Sequence, residues 1–263
     1  MTEASVVIAA LRSAHDDLAV RVADFDADDL ARRSGSHEWT VAQVLSHLGS
    51  GSVITLATLE HTAGNGTEPV PDFNRQVWAR WDAMAPDEQA SEFVTADAAL
   101  VEWFESVPDH DADSLRISLP WLPVPLTLAQ MARMRLNEVA LHSWDVRVAF
   151  DADAVVAPDA TRALLHGEPS LIGRIGRTDV LDGAEVVVDV TTTDPHSTFA
   201  LVLGEKVEVD HEREPSSENS LALPAESWLR LVAGRLAPED RPSGVVSAGP
   251  IDLDVLRKVF PGY

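Results

Sequence analysis

Residues 136–147 read LNEVALHSWDVR. Apolar residues recur here at helical spacing, and Glu138 and His142 fall four apart among them. On a helix these two side chains share one face, one turn apart, with Cβ atoms about 5–6 Å from each other. Two readings account for a carboxylate and an imidazole at this spacing. They form a surface ion pair, or they are two ligands of one metal ion.

The stretch belongs to a long helical segment. Thr127 and Gln130 form a capping box that opens it, and the apolar period carries it from about Leu128 to Phe150. SLPWLPVPL before it, residues 118–126, holds three prolines and cannot be a regular helix. Upstream, residues 3–24 repeat apolar positions at helical spacing behind Thr2, a fitting cap. A short helical piece, DADDLARR, follows, and then Thr40 with Gln43 makes a second capping box. The helix it opens runs to about Gly64, and TAGNGTEPVP is a loop. Residues 72–84 read as helical, and Pro86 starts a helix that reaches about Ser106. Four long helices with short or moderate connections predict a four-helix bundle over residues 1–150. FDADAVVAP, residues 150–158, reads as a linker.

Beyond it the period changes. Residues 159–173 read as helical, whereas AEVVVDVTT and STFALVLG are rich in β-formers. KVEVDH and SLAL are shorter candidate strands, and GVVSAG is another. Pro224 opens the helix AESWLRLVAGRL, and residues 251–260 form a last helix. The predicted class is therefore α+β: an N-terminal four-helix bundle followed by a small mixed α+β domain over residues 159–263.

Composition narrows the function. The 263 residues carry 20 Lys and Arg against 43 Asp and Glu, a formal net charge of −23. That field repels phosphate backbones and anionic membrane surfaces, so neither nucleic acid nor membrane is an expected partner. No apolar run is long enough to span a bilayer, and the acidic N-terminus lacks the features of a signal peptide. The expected location is cytoplasmic. There is no cysteine, so disulfides, thiolate metal sites and a protein thiol nucleophile are excluded. A thiol taking part in the chemistry has to arrive on a small molecule.

A metal needs at least one more ligand than Glu138 and His142. His47, set among Val41, Val44, Leu45 and Leu48, offers it from the second long helix. In a helical bundle, ligands on facing helices converge on the core. Two His and one Glu leave a fourth position for water or substrate, the pattern of catalytic rather than structural zinc. A hydrogen-bonded core histidine is the alternative for His47. The run Gly49-Ser50-Gly51-Ser52 makes room beside it, either for a close helix contact or for a ligand. Asp145, three residues past His142, either orients that ring or faces solvent. His15, His37, His61, His110, His166, His196 and His211 show no ligand spacing, and no dinucleotide, phosphate-loop or nucleophile-elbow motif is present.

At these residues the chain resembles the mycothiol-dependent maleylpyruvate isomerase family of actinobacteria, within the DinB-like metalloprotein superfamily. The matching pieces are WTVAQVLSHL at 39–48, NEVALHSWDV at 137–146 and, less specifically, WLRLVAGRL at 228–236. The resemblance implies zinc held by His47, Glu138 and His142, and mycothiol as the thiol. It implies an isomerase of the maleylpyruvate type or a thiol S-transferase acting on an electrophilic small molecule. An acidic substrate calls for arginine, which binds carboxylates in a fork, and Arg80 and Arg235 are the candidates. A zinc hydrolase using metal-bound water and a non-catalytic metal- or ligand-binding protein are the competing readings. The electrophile and the oligomeric state are not written in the sequence.

Overall fold

The computed structural model describes residues 2–36, 38–167, 172–238 and 243–262. His37 lies outside them, as do residues 168–171 of the helix expected over 159–173. The chain divides into two compact units, Met1–Ala154 and Val155–Tyr263. The boundary falls inside the segment read as a linker. That segment is not wholly exposed, since Ala154 is buried and its carbonyl accepts from Trp144 Nε1 at 2.8 Å.

The first unit is helical. Its elements are α1 (Glu3–Val22), α2 (Ala27–Leu30), α3 (Val41–Thr62), α4 (Phe73–Asp82), α5 (Pro86–Ser106), α6 (Asp109–Ala112) and α7 (Leu128–Val148). The long helices α1, α3, α5 and α7 form the bundle, with α5 against both α1 and α3, and α7 against α1 and, more sparsely, α3. Three of them, α1, α3 and α7, start where a threonine side chain satisfies a free N–H group of the first turn, and α5 starts on Pro86. Thr2 Oγ1 accepts from the Ser5 amide, and both Thr–Gln capping boxes are closed, Thr40 with Gln43 and Thr127 with Gln130. Leu11 and Leu18 of α1, Leu45 and Leu48 of α3, Phe93 and Leu100 of α5, and Leu136 and Val139 of α7 are fully buried. Burial of each such side chain stabilises by about 1.5–3 kcal/mol, so the apolar stripes supply the main force for bundling.

The second unit mixes a sheet with short helices. After α8 (Pro158–Leu164) and α9 (Ile172–Ile175) come β1 (Val186–Thr193), β2 (Ser197–Leu203), β3 (Val207–Asp210) and β4 (Ser220–Pro224). They are followed by α10 (Ala225–Val232), β5 (Val246–Ala248) and α11 (Leu253–Val259). The sheet order is β3-β2-β1-β4-β5. Its neighbours run antiparallel except β1 and β4, which pair in parallel with Val190 opposite Leu221. Val188, Val190, Phe199, Leu201, Leu221 and Leu223 share one core with Trp228 and Leu231 of α10.

Two helices fall well short of the sequence expectation, where the long helices differ by only a residue or two at an end. The one expected over 159–173 stops at Leu164. The one opened by Pro224 stops at Val232, because Gly234 turns the chain with φ +71°, the usual glycine exit from a helix. Among the described residues no helix is long and apolar enough to cross a membrane.

Candidate metal centre

His47 projects from α3, and Glu138 and His142 from α7, where α-helical spacing stacks the latter two. His47 Nε2 lies 3.2 Å from Glu138 Oε2, and His142 Nε2 lies 3.8 Å from the same oxygen. One ligand atom from each residue falls within 4.8 Å of the others. Exposure is graded across the cluster: the His142 side chain is 6% accessible, Glu138 35% and His47 39%. The cluster is thus anchored in the core and open on the His47 side.

The second nitrogen of His142 is committed elsewhere. Asp145 is fully buried, and its Oδ2 accepts from His142 Nδ1 at 2.7 Å. A carboxylate only accepts, so Nδ1 carries the hydrogen of this contact, and Nε2 is the ring atom that faces Glu138. Of the two sequence readings for Asp145, ring orientation is the one realised. Burial by itself would push the Glu138 carboxyl up. The hydrogen bond from His47 and the nearby His142, His47 and Arg135 charges outweigh burial and hold it at about 2. Two imidazoles and an ionised carboxylate, converging with one face open, suit a divalent ion of the zinc type.

Trp39 forms a wall beside the cluster. Its ring centroid lies 5.2 Å from that of His47 and 6.2 Å from that of His142, nearly parallel to the latter. The loop that carries it closes onto α7, where the Gly35 amide donates to the Asp145 carbonyl at 2.8 Å. A Cβ at Gly35 would collide with Val148 and Trp144, so glycine permits this close approach. Glycine serves a similar end in the small run of α3. A Cβ on Gly49 would overlap the Trp81 indole, while Ser52 hydrogen-bonds inside the core. The close helix contact therefore accounts for Gly49.

The two arginines fare differently from the triad. The Arg80 side chain is 70% exposed and faces Glu92 at 3.8 Å. Arg235 belongs to the second unit, is half-buried, and donates from Nη1 to the Ala233 carbonyl at 3.1 Å.

Sequence reasoning passed over a buried polar group: His15, Asp97 and Arg135. A signal was present. His15 lies four after Leu11 and three before Leu18, Asp97 four after Phe93 and three before Leu100, and Arg135 four after Met131 and four before Val139. Each therefore occupies an apolar face, where a charged group needs a partner. Burial raises the Asp97 pKa, but the Arg135 charge and the hydrogen bonds from His15 and Arg135 prevail and hold it at about 2.

The profile of the mycothiol maleylpyruvate isomerase N-terminal domain matches residues 11–147. Two uncharacterized proteins of Mycobacterium tuberculosis, from strains CDC 1551 / Oshkosh and ATCC 25618 / H37Rv, are 28% identical over 169 residues. The aligned stretch spans 62% of this chain and 62% of each relative. Crystal structures of the mycothiol-dependent maleylpyruvate isomerase and of a histidine-to-alanine mutant of it superpose with a TM-score of 0.62. They are 16% and 17% identical to this chain and cover 93% of it and 92% of their own length, a likeness of fold.

Proposed function

As the chain belongs to the mycothiol maleylpyruvate isomerase family, whose N-terminal domain profile spans residues 11–147, we propose that it is a zinc enzyme. It uses mycothiol on an electrophilic small molecule, as an isomerase of the maleylpyruvate type or as an S-transferase. The metal-binding part is the bundle, residues 1–150, and residues 159–263 form the second domain. His47, Glu138 and His142 are the metal ligands. The observation that carries this is the convergence of three N and O donors within 4.8 Å from two helices.

When bound, zinc supplies a Lewis acid that lowers the pKa of a thiol and raises the thiolate fraction near neutral pH. The protein's own residues prepare the place. Asp145 holds His142 with Nε2 turned toward Glu138, and Glu138 remains ionised at working pH. Trp39 walls one side with an apolar ring. The thiol comes from the small molecule, since the chain has no cysteine. Arg235 is the candidate to hold a substrate carboxylate. Arg80 has a weaker claim, because it is exposed and pairs with Glu92.

The test combines metal content with a spectrum. Wild-type protein should hold about one zinc per chain, and His47→Ala and His142→Ala should hold little. In the cobalt-substituted protein, mycothiol should produce an intense near-ultraviolet sulfur-to-cobalt band. Equal metal in all three proteins would remove the ligand assignment. Bound cobalt without that band at saturating mycothiol would remove the thiol.

A further inference from the structure

A buried polar network crosses the helical unit one turn away from the candidate ligands. His15 Nδ1 of α1 donates to Asp97 Oδ2 of α5 at 2.8 Å. Asp97 Oδ1 accepts from Arg135 of α7, from Nη2 at 2.6 Å and Nε at 3.2 Å. Arg135 Nη2 also donates to Ser52 Oγ at 2.6 Å and to the Leu48 carbonyl at 2.9 Å, both on α3. Every long helix of the bundle contributes a member, and all four side chains are buried.

Stability is a poor explanation for such a network. Removing two charges from water costs several kcal/mol per ion, and apolar residues of similar volume often serve as well or better. The best-attested use of buried polar groups is to select one register between helices. The placement here suits that use. Leu48 follows His47 directly, and Arg135 precedes Glu138 by one turn of α7. The bonds from Arg135 to Leu48 and Ser52 therefore tie α3 to α7 at the level where the ligands face each other. Apolar contact alone would hold this pair weakly in register, since α3 and α7 touch sparsely. A slip of one residue moves a side chain about 1.5 Å along the axis and 100° around it, enough to take His47 away from Glu138. The planar guanidinium accepts few geometries, so it resists such a slip better than a flexible ammonium would.

We propose that Arg135 is a positioning residue of the metal centre. Held by Asp97, it clamps the Leu48 carbonyl and Ser52 so that His47 on α3 meets Glu138 and His142 on α7. The inference rests on the metal-binding reading above. It assigns Arg135 no contact with metal or substrate.

Cobalt affinity, measured by competition with a chromophoric chelator, and the visible cobalt spectrum read this out without turnover. Arg135→Met should weaken cobalt binding about 10- to 100-fold, the usual cost of losing support behind a ligand, and alter the d–d bands. That variant strands the Asp97 carboxylate in the core, so the deciding protein is the double variant Arg135→Met/Asp97→Asn. It should unfold, metal-free, within a few degrees of wild type and still bind cobalt weakly with altered bands. Arg135→Lys should recover part of the affinity. Wild-type affinity and spectrum in the double variant would overturn the proposal. Failure of the double variant to fold would also overturn it, since the network would then serve the fold rather than the centre. Wild-type protein that binds no cobalt would instead remove the metal-binding reading itself.

Discussion

Asp145 engages His142 Nδ1 at 2.7 Å inside the core, so Nε2 is the ring nitrogen that faces Glu138. This makes Asp145 the residue whose change tests the centre most locally. Asp145→Ala leaves the ring free to rotate and removes a charge that raises ligand basicity. Zinc affinity should fall about 10- to 100-fold by chelator competition. Asp145→Asn should fall between, since the amide oxygen still accepts but carries no charge. An unchanged affinity in Asp145→Ala would leave the buried carboxylate without a part in the site. The spacing from His142 to Asp145 is visible in the sequence, but its meaning is not. On a helix three residues bring two side chains close, and only burial decides whether they turn to each other or to water.

At the scale of elements, α3 shows how a packing demand can look like a functional one. Its Gly49 exists to receive the Trp81 ring of α4. Gly49→Val should destabilise the protein by about 1–3 kcal/mol through overpacking, measurable by chemical denaturation with Trp fluorescence. A neutral result would mean that α4 shifts freely on α3. Nothing local to GSGS announces Trp81, which lies across a loop. Helix starts, by contrast, are written locally. Thr40 with Gln43 and Thr127 with Gln130 close the hydrogen bonds that their spacing suggests. Helix ends are less legible: the apolar pattern continues past Val232, while Gly234 stops the helix.

For the whole molecule, acid is the informative perturbation. The Asp97 pKa is lowered from 3.8 to about 2 in the folded protein. A carboxyl depressed in this way stabilises the fold at pH above its ordinary value, and the stabilisation is lost as pH falls from about 4 toward 2. Unfolding midpoints should therefore drop across that window in metal-free protein, and the drop should shrink in Arg135→Met/Asp97→Asn. An equal drop in both would assign the acid sensitivity to the many surface carboxylates of a chain with net charge −23.

The sequence by itself determined what depends on near neighbours. Caps, apolar periods and the prolines of 118–126 mark the helices, and the change of period after residue 158 marks the second unit. The pairing of Glu138 with His142 on one helical face is of the same kind, because four residues and the helical pitch suffice to state it. Tertiary structure alone decided what depends on distant chain segments. It set His47 against Glu138 across 91 residues and Asp97 against Arg135 across 38. It left Arg80 at the surface with Glu92. The reason is physical: propensity and capping act within a turn or two. The approach of one helix to another is decided by apolar faces and buried charges that only the assembled bundle brings into contact.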